Sequence, residues 1–239
     1  MNAKRSLCLL SACLVLAGCA GTPGPATSSD GWHAVLLPGK RATEYTPRVH
    51  KDGRLGVAAR SERAASLWRR KFDVQPQALG DVSFSWWVQQ AVHDGSVADV
   101  EREDATVRIV FAFGGDTTRL PRRTRMMFEM AEALTGEAPP YATLMYVWDG
   151  RAAVGSVVVN PRSDRIRKIV VDSGAAGLRQ WRDHRRDLVA DFRAAFGEDP
   201  GPLQAIAVMT DTDNTGTRAE AWYGPITLHD RKLSPDPGS

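Results

Sequence analysis

Seven consecutive residues near the C-terminal end, Thr210-Asp211-Thr212-Asp213-Asn214-Thr215-Gly216, hold the densest set of side-chain oxygens in the chain. Carboxylate, amide and hydroxyl oxygens in a glycine-ended turn suit a hard cation such as Ca²⁺, or the hydroxyls of a polar ligand. The spacing opens like an EF-hand loop, with Asp211 and Asp213 at positions one and three and Gly216 at six. Position twelve is Trp222, where that loop needs a bidentate glutamate, so the segment is not an EF-hand. Three readings stay open: a calcium site of another kind, a ligand-contact loop using Asp211, Asp213 and Asn214, and a turn that uses these residues for backbone geometry alone. A glycosidase would need a second carboxyl group, and Asp104 is the candidate partner for Asp211 or Asp213. Sugar recognition also needs flat aromatic faces. Trp87, Trp148 and Tyr146 are the candidates, each equally readable as a core or strand-end aromatic.

Other chemistries lack their residues. No Gly-x-Ser-x-Gly elbow, His-Glu-x-x-His helix, phosphate-cradling glycine loop or Cys-x-x-Cys pair occurs. The five histidines (His33, His50, His93, His184, His229) stand apart from one another and from any cysteine, with no metal-ligand spacing. Lys and Arg (31) nearly balance Asp and Glu (28) and are interspersed with them, which argues against a nucleic-acid partner. The densest basic patch, Arg119 to Arg125, reads as the solvated flank of a helix.

The N-terminus speaks to location. Lys4-Arg5, an apolar run from Leu7 to Leu16, and then Ala17-Gly18-Cys19 form the parts of a secretory signal too short to span a bilayer. Its end resembles the bacterial lipobox, in which the cysteine is alkylated by diacylglycerol and becomes the mature N-terminus. The resemblance implies residues 1–18 as signal peptide and Cys19 as a lipid anchor carrying fatty acyl chains such as palmitate. It implies an envelope lipoprotein, attached to a membrane through that lipid. Ala20 is not the Asp that resembles an inner-membrane retention signal, so the expected site is the outer membrane, facing the periplasm. All three cysteines (Cys8, Cys13, Cys19) lie in or next to the signal, so the body carries no disulfide.

The elements that must position these residues are mainly strands. Residues 19–31, rich in Gly, Pro, Ser and Thr, read as a flexible tether, and 231–239 as a disordered tail. Between them, residues 32–230 show short β-branched and aromatic runs punctuated by Gly, Pro, Asp and Asn. That pattern predicts an all-β sandwich in one domain. Alternation places Phe84, Trp86, Ile109 and Phe111 in its core; Val208 is expected there too, although its small neighbours Ala205 and Ala207 leave the phase of its strand undecided. Two insertions read as helices: 120–135, with its Met126, Met127, Met130 and Leu134 stripe toward the core, and 178–196, from the spacing of Leu178, Trp181, Leu188, Phe192 and Phe196.

Several segments resemble a bacterial envelope family, domain of unknown function 3047. They include Leu36-Leu37-Pro38-Gly39-Lys40, Glu103-Asp104-Ala105, Leu144-x-Tyr146-x-Trp148, Asp187-Leu188-Val189-x-Asp191-Phe192, the Ile206 to Gly216 run and Ala221-Trp222-Tyr223-Gly224. Such families look related to galactose-binding-like jelly rolls and carbohydrate-binding modules. The resemblance implies a jelly-roll-like β-sandwich and supplies no established activity. Together these readings favour a non-catalytic lipoprotein that binds a glycan or another polar envelope ligand. A structural lipoprotein docking a protein partner, and a carboxylate-dependent glycosidase, are the alternatives.

Overall fold

The computed structural model describes residues 30–92 and 95–231. The signal segment, Cys19 with most of its tether, His93 and the tail from 232 lie outside the described residues.

Two sheets face each other. The first has seven strands in the order β1 (His33–Leu36), β4 (Ser66–Val74), β11 (Leu203–Met209), β6 (Arg108–Phe113), β7 (Ala142–Asp149), β9 (Ser163–Ser173) and β8 (Val157–Asn160). All neighbours are antiparallel except β7 and β9. The second sheet runs β10 (Trp181–Asp187), β5 (Leu79–Val88), β12 (Arg218–Tyr223), β3 (Leu55–Glu62) and β2 (Glu44–Val49), with β13 (Thr227–Asp230) also pairing β5. Period-two alternation decides which side chains meet between them. Val82, Phe84, Trp86 and Val88 of β5 share one buried cluster with Ile109, Phe111 and Phe113 of β6 and with Ile206 and Val208 of β11. The five residues expected in the core are all buried. The chain is a jelly-roll-like β-sandwich with two inserted helices.

Four details depart from the sequence reading. Residues 178–187 are not helical: β10 occupies Trp181–Asp187, and helix α2 covers only Leu188–Phe196. Asp187 sets that boundary, because its carboxylate accepts from the Val189 and Ala190 amides as an N-cap. Edge strand β2 was hidden by Pro47, whose missing amide is tolerated at a sheet edge. The run from Ala219 to Leu228 reads in sequence as one strand but forms two, β12 and β13, with Gly224-Pro225-Ile226 between them. Helix α1 (Arg122–Thr135) forms as expected but buries none of its residues. Its Met126, Met127, Met130 and Leu134 face solvent instead of the core.

Core tryptophans bring polar atoms that need partners. The Trp86 indole N–H donates to Asp172 at 2.7 Å, and His184 Nε2 lies 2.8 Å from the same oxygen. Burial pushes the Asp172 carboxyl up, but hydrogen bonds from His184 and Trp86 outweigh it and hold it below its usual range.

Candidate functional site

The loop 210–217 carries the chain from β11 in one sheet to β12 in the other. It brings Asp211 and Asp213 to Asp104, so that one carboxylate oxygen from each lies within 4.8 Å of the others. Asp104 holds the loop in place: it accepts from the Asn214 amide at 3.2 Å and from the Thr215 amide at 2.7 Å. The Asn214 side chain donates in turn to the Val100 carbonyl, and Thr212 meets Ser61 at 2.8 Å. The loop is thus a fixed rim, with Asp104 and Asp211 buried and Asp213 half-buried.

Cations surround this acid cluster. Lys40 pairs with Asp213, and Arg108 lies 3.2 Å from Asp211. The Arg108 guanidinium also donates to the Glu103 carbonyl. Lys168, fully buried, sits 2.7 Å from the Glu103 carboxylate and donates to the Val97 carbonyl. Asn160 adds two donor contacts to that carboxylate. Burial holds the Lys168 amine below its usual range, with Glu103 opposing. Among the described residues, four carboxyl groups therefore face three cations, and Asp104 is the acid with no cation against it. Burial is the main reason that the Asp211 carboxyl is pushed up to about 7; Arg108 opposes this, while Asp104 and Glu103 add to it. Two acids in contact can share one proton. A proton on Asp211 balances the set without a divalent ion.

The same geometry argues against a glycosidase here. Paired catalytic carboxyls stand about 5 Å or more apart across a cleft that admits the sugar. Asp104 and Asp211 instead share a hydrogen bond, and both are buried.

The aromatic candidates separate. Tyr146 is a core residue whose hydroxyl donates to Asp191 at 2.6 Å, and Trp148 is 2% exposed with its indole N–H on the Gly174 carbonyl. Neither offers a ring face to a ligand. Trp87 lies on the outer face of the smaller sheet, directly opposite Trp181 of β10 on one side and Trp222 of β12 on the other. The three form one row across adjacent strands. The β2–β3 turn arches over its centre, and the His50 ring lies 4.9–5.4 Å from all three. Gly56 lets β3 lie close to β12 beside the row, since a Cβ there would come within 2.6 Å of the Tyr223 carbonyl oxygen. Arg48, Lys51 and Arg54 lie over Trp222, Trp87 and Trp181 respectively. Trp87 is closed over, while Trp181 and Trp222 stay half-exposed. Of the three residues in this row, the sequence placed only Trp87 in a ligand-facing role. Trp181 was missed because β10 is charged on both faces and carries no apolar alternation, and the helical reading covered it.

A groove borders the row on each side. One, about 450 Å³, is lined by Arg54, Ser83, Ser85, Asp183 and Arg185. The other, about 180 Å³, is lined by Thr46, Arg60, Glu220 and Trp222 among others. A larger cleft of about 580 Å³ opens between the sheets against Trp32, Trp68, Phe72, Val57 and Ile206. Its apolar walls suit hydrocarbon better than a sugar.

The family model for proteins of unknown function, DUF3047, matches residues 30–227. The chain belongs to this family. No curated protein matches this DUF3047 protein in sequence. Among solved structures it is similar to the xyloglucanase domain of NopAA, a type three effector from Sinorhizobium fredii solved with cellobiose. That match has 9% identity and a TM-score of 0.43, covering 87% of this chain and 97% of that one. It is also similar to the endoglucanase cel12A from Rhodothermus marinus, at 11% identity and a TM-score of 0.44, covering 87% and 95%.

Proposed function

We propose that this DUF3047 protein is a non-catalytic binding module of the bacterial envelope, anchored through Cys19, that takes a glycan on the outer face of its smaller sheet. The row Trp181–Trp87–Trp222 carries the reading. Trp222 lines one groove and Arg54, which lies over Trp181, lines the other; their walls are hydroxyls and paired charges, Arg60 with Glu220 and Arg54 with Asp183. Aromatic edges beside fixed hydrogen-bonding groups match a sugar's apolar and hydroxylated faces. Asp81, Asp183 and Glu220 on this face are each paired with an arginine.

The test is calorimetric titration with peptidoglycan fragments, β-glucan oligosaccharides and lipopolysaccharide core sugars. Trp222→Ala is expected to weaken the glycan that binds by roughly thirty-fold, about 2 kcal/mol. Trp181→Ala should act on the opposite groove. Full affinity in both variants, or no binding across the panel, sinks the proposal.

The anchor has its own test. Cys19→Ser is expected to abolish acyl labelling and to leave a soluble periplasmic form or an uncleaved precursor. Acyl-labelled mature protein from that variant would show that the anchor lies elsewhere.

A further inference from the structure

Helix α1 is amphipathic, and among the described residues its apolar side has no partner. Thr124, Arg125, Phe128 and Ala131 are its half-buried residues, and they mark the side toward the body. Met126, Met130 and Leu134, spaced by four, line the other side with Met127; they are 54%, 60%, 81% and 42% exposed respectively. An apolar helix face costs free energy in water unless something covers it.

The charge around the helix says what covers it. Arg119, Arg122 and Arg123 form no ion pair among the described residues, although Asp116 lies close enough to Arg119 to feel its charge, and Arg125 donates to the Thr118 carbonyl. These cations crowd the positive end of the helix dipole. The first turn has no acid, and Pro121 at the N-cap provides no side-chain hydrogen bond. Arg123 precedes Met126, Met127 and Met130 by three, four and seven residues, so it shares their face and can extend to its edge. A guanidinium cluster adjoining a Met and Leu stripe matches the headgroups and acyl chains of an anionic bilayer surface.

The position of α1 agrees. Glu137, just beyond its C-cap Gly136, pairs with Arg69 of β4, and Arg69 lies directly opposite His33 of β1. The helix is therefore tied down beside the strand by which the chain enters the domain. Ten residues separate Cys19 from Asp30, and their covalent length allows at most about 40 Å. Lipid and helix can reach one bilayer together. We propose that α1 lies in the surface of an anionic membrane, with Met126, Met130 and Leu134 among the acyl chains and Arg119, Arg122 and Arg123 on the headgroups. This rests in part on the anchor reading above, and it gives the domain a fixed orientation where a tether alone would not.

The body has no cysteine after Cys19, so single probes can be placed by Met130→Cys, Leu134→Cys and, on another face, Glu132→Cys. The full processed protein, dye-labelled, is mixed with vesicles of phosphatidylethanolamine and phosphatidylglycerol carrying bromine on their tails. The dye at 130 or 134 is expected to lose most of its emission, while the dye at 132 stays bright. In phosphatidylcholine vesicles the difference should shrink. Arg122→Ala with Arg123→Ala should weaken vesicle partitioning of the non-acylated chain by about thirty-fold. Equal emission at 130 and 132 overturns the proposal. So does shielding of position 130 from water without quenching by the tails, which would mark a protein partner or a second copy. The mass of the N-terminal peptide reports acylation separately, so an absent anchor is distinguished from a helix that does not insert.

Discussion

Replacing Lys168 by methionine is expected to destabilise the fold by about 3–5 kcal/mol, because it leaves the Glu103 carboxylate buried without its cation. Lys168 lies on β9 in the phase opposite the core residues Ile169 and Val171, on the outer side of the seven-stranded sheet. Segment 95–106 covers that side, packing Val97 and Ala105 against Val147 and Val170. The amine therefore does two things: it neutralises Glu103 and ties the Val97 carbonyl down onto the sheet. Methionine fills similar space but performs neither. Asn160 still donates to Glu103 in the variant, yet two amide contacts do not cancel a buried charge. The pair itself need contribute little net stability, since burying two ions has its own cost. Lys168→Met combined with Glu103→Leu should therefore recover much of the loss. Urea unfolding of the wild type, both single variants and the double variant measures this as a coupling energy. A single-variant loss below 1 kcal/mol, or additive losses, would mean that water reaches the pair and screens it.

This network also shows where sequence reasoning stops. Strand interiors were legible because alternation directly reports burial: Phe84 and Trp86, or Ile109 and Phe111, point inward together. The same rule assigns Arg108 and Lys168 to a solvent face, and it fails there because a loop with no signature of its own covers them. Edge strands failed for a related reason. Trp181-Arg182-Asp183-His184-Arg185-Arg186 is charged on both faces, as edges tend to be, so nothing apolar revealed its period. Asp104 with Asp211 and Asp213 could be paired from chemistry alone, but only the fold shows their contact to be too close and too buried for a cleft. The methionine stripe of α1 was legible as an apolar face, while what it faces is not written in its own residues.

Asp211→Asn is expected to reverse sign with pH. The Asp211 carboxyl is raised from 3.8 to about 7 in the folded protein, so the folded state holds a proton that the unfolded chain releases near pH 4. Stability from this group is therefore complete below pH 4 and is lost as pH rises to about 7, by on the order of 4 kcal/mol. Asparagine resembles the protonated acid. Its amide can donate to Asp104 where the shared proton lies, and its oxygen can accept from Arg108, at every pH. Relative to wild type, the variant should be equal or weaker near pH 4.5 and more stable near pH 8. Taking the difference between the two proteins cancels the other titrating groups. A divalent cation in the cluster predicts the opposite: at pH 8, calcium would raise the melting temperature of the wild type and asparagine would weaken that gain. Unfolding curves of both proteins across this pH range, with calcium and with chelator, decide between a shared proton and a bound ion. A wild type that is stabilised by calcium at pH 8 and outlasts the variant there would rule the shared proton out.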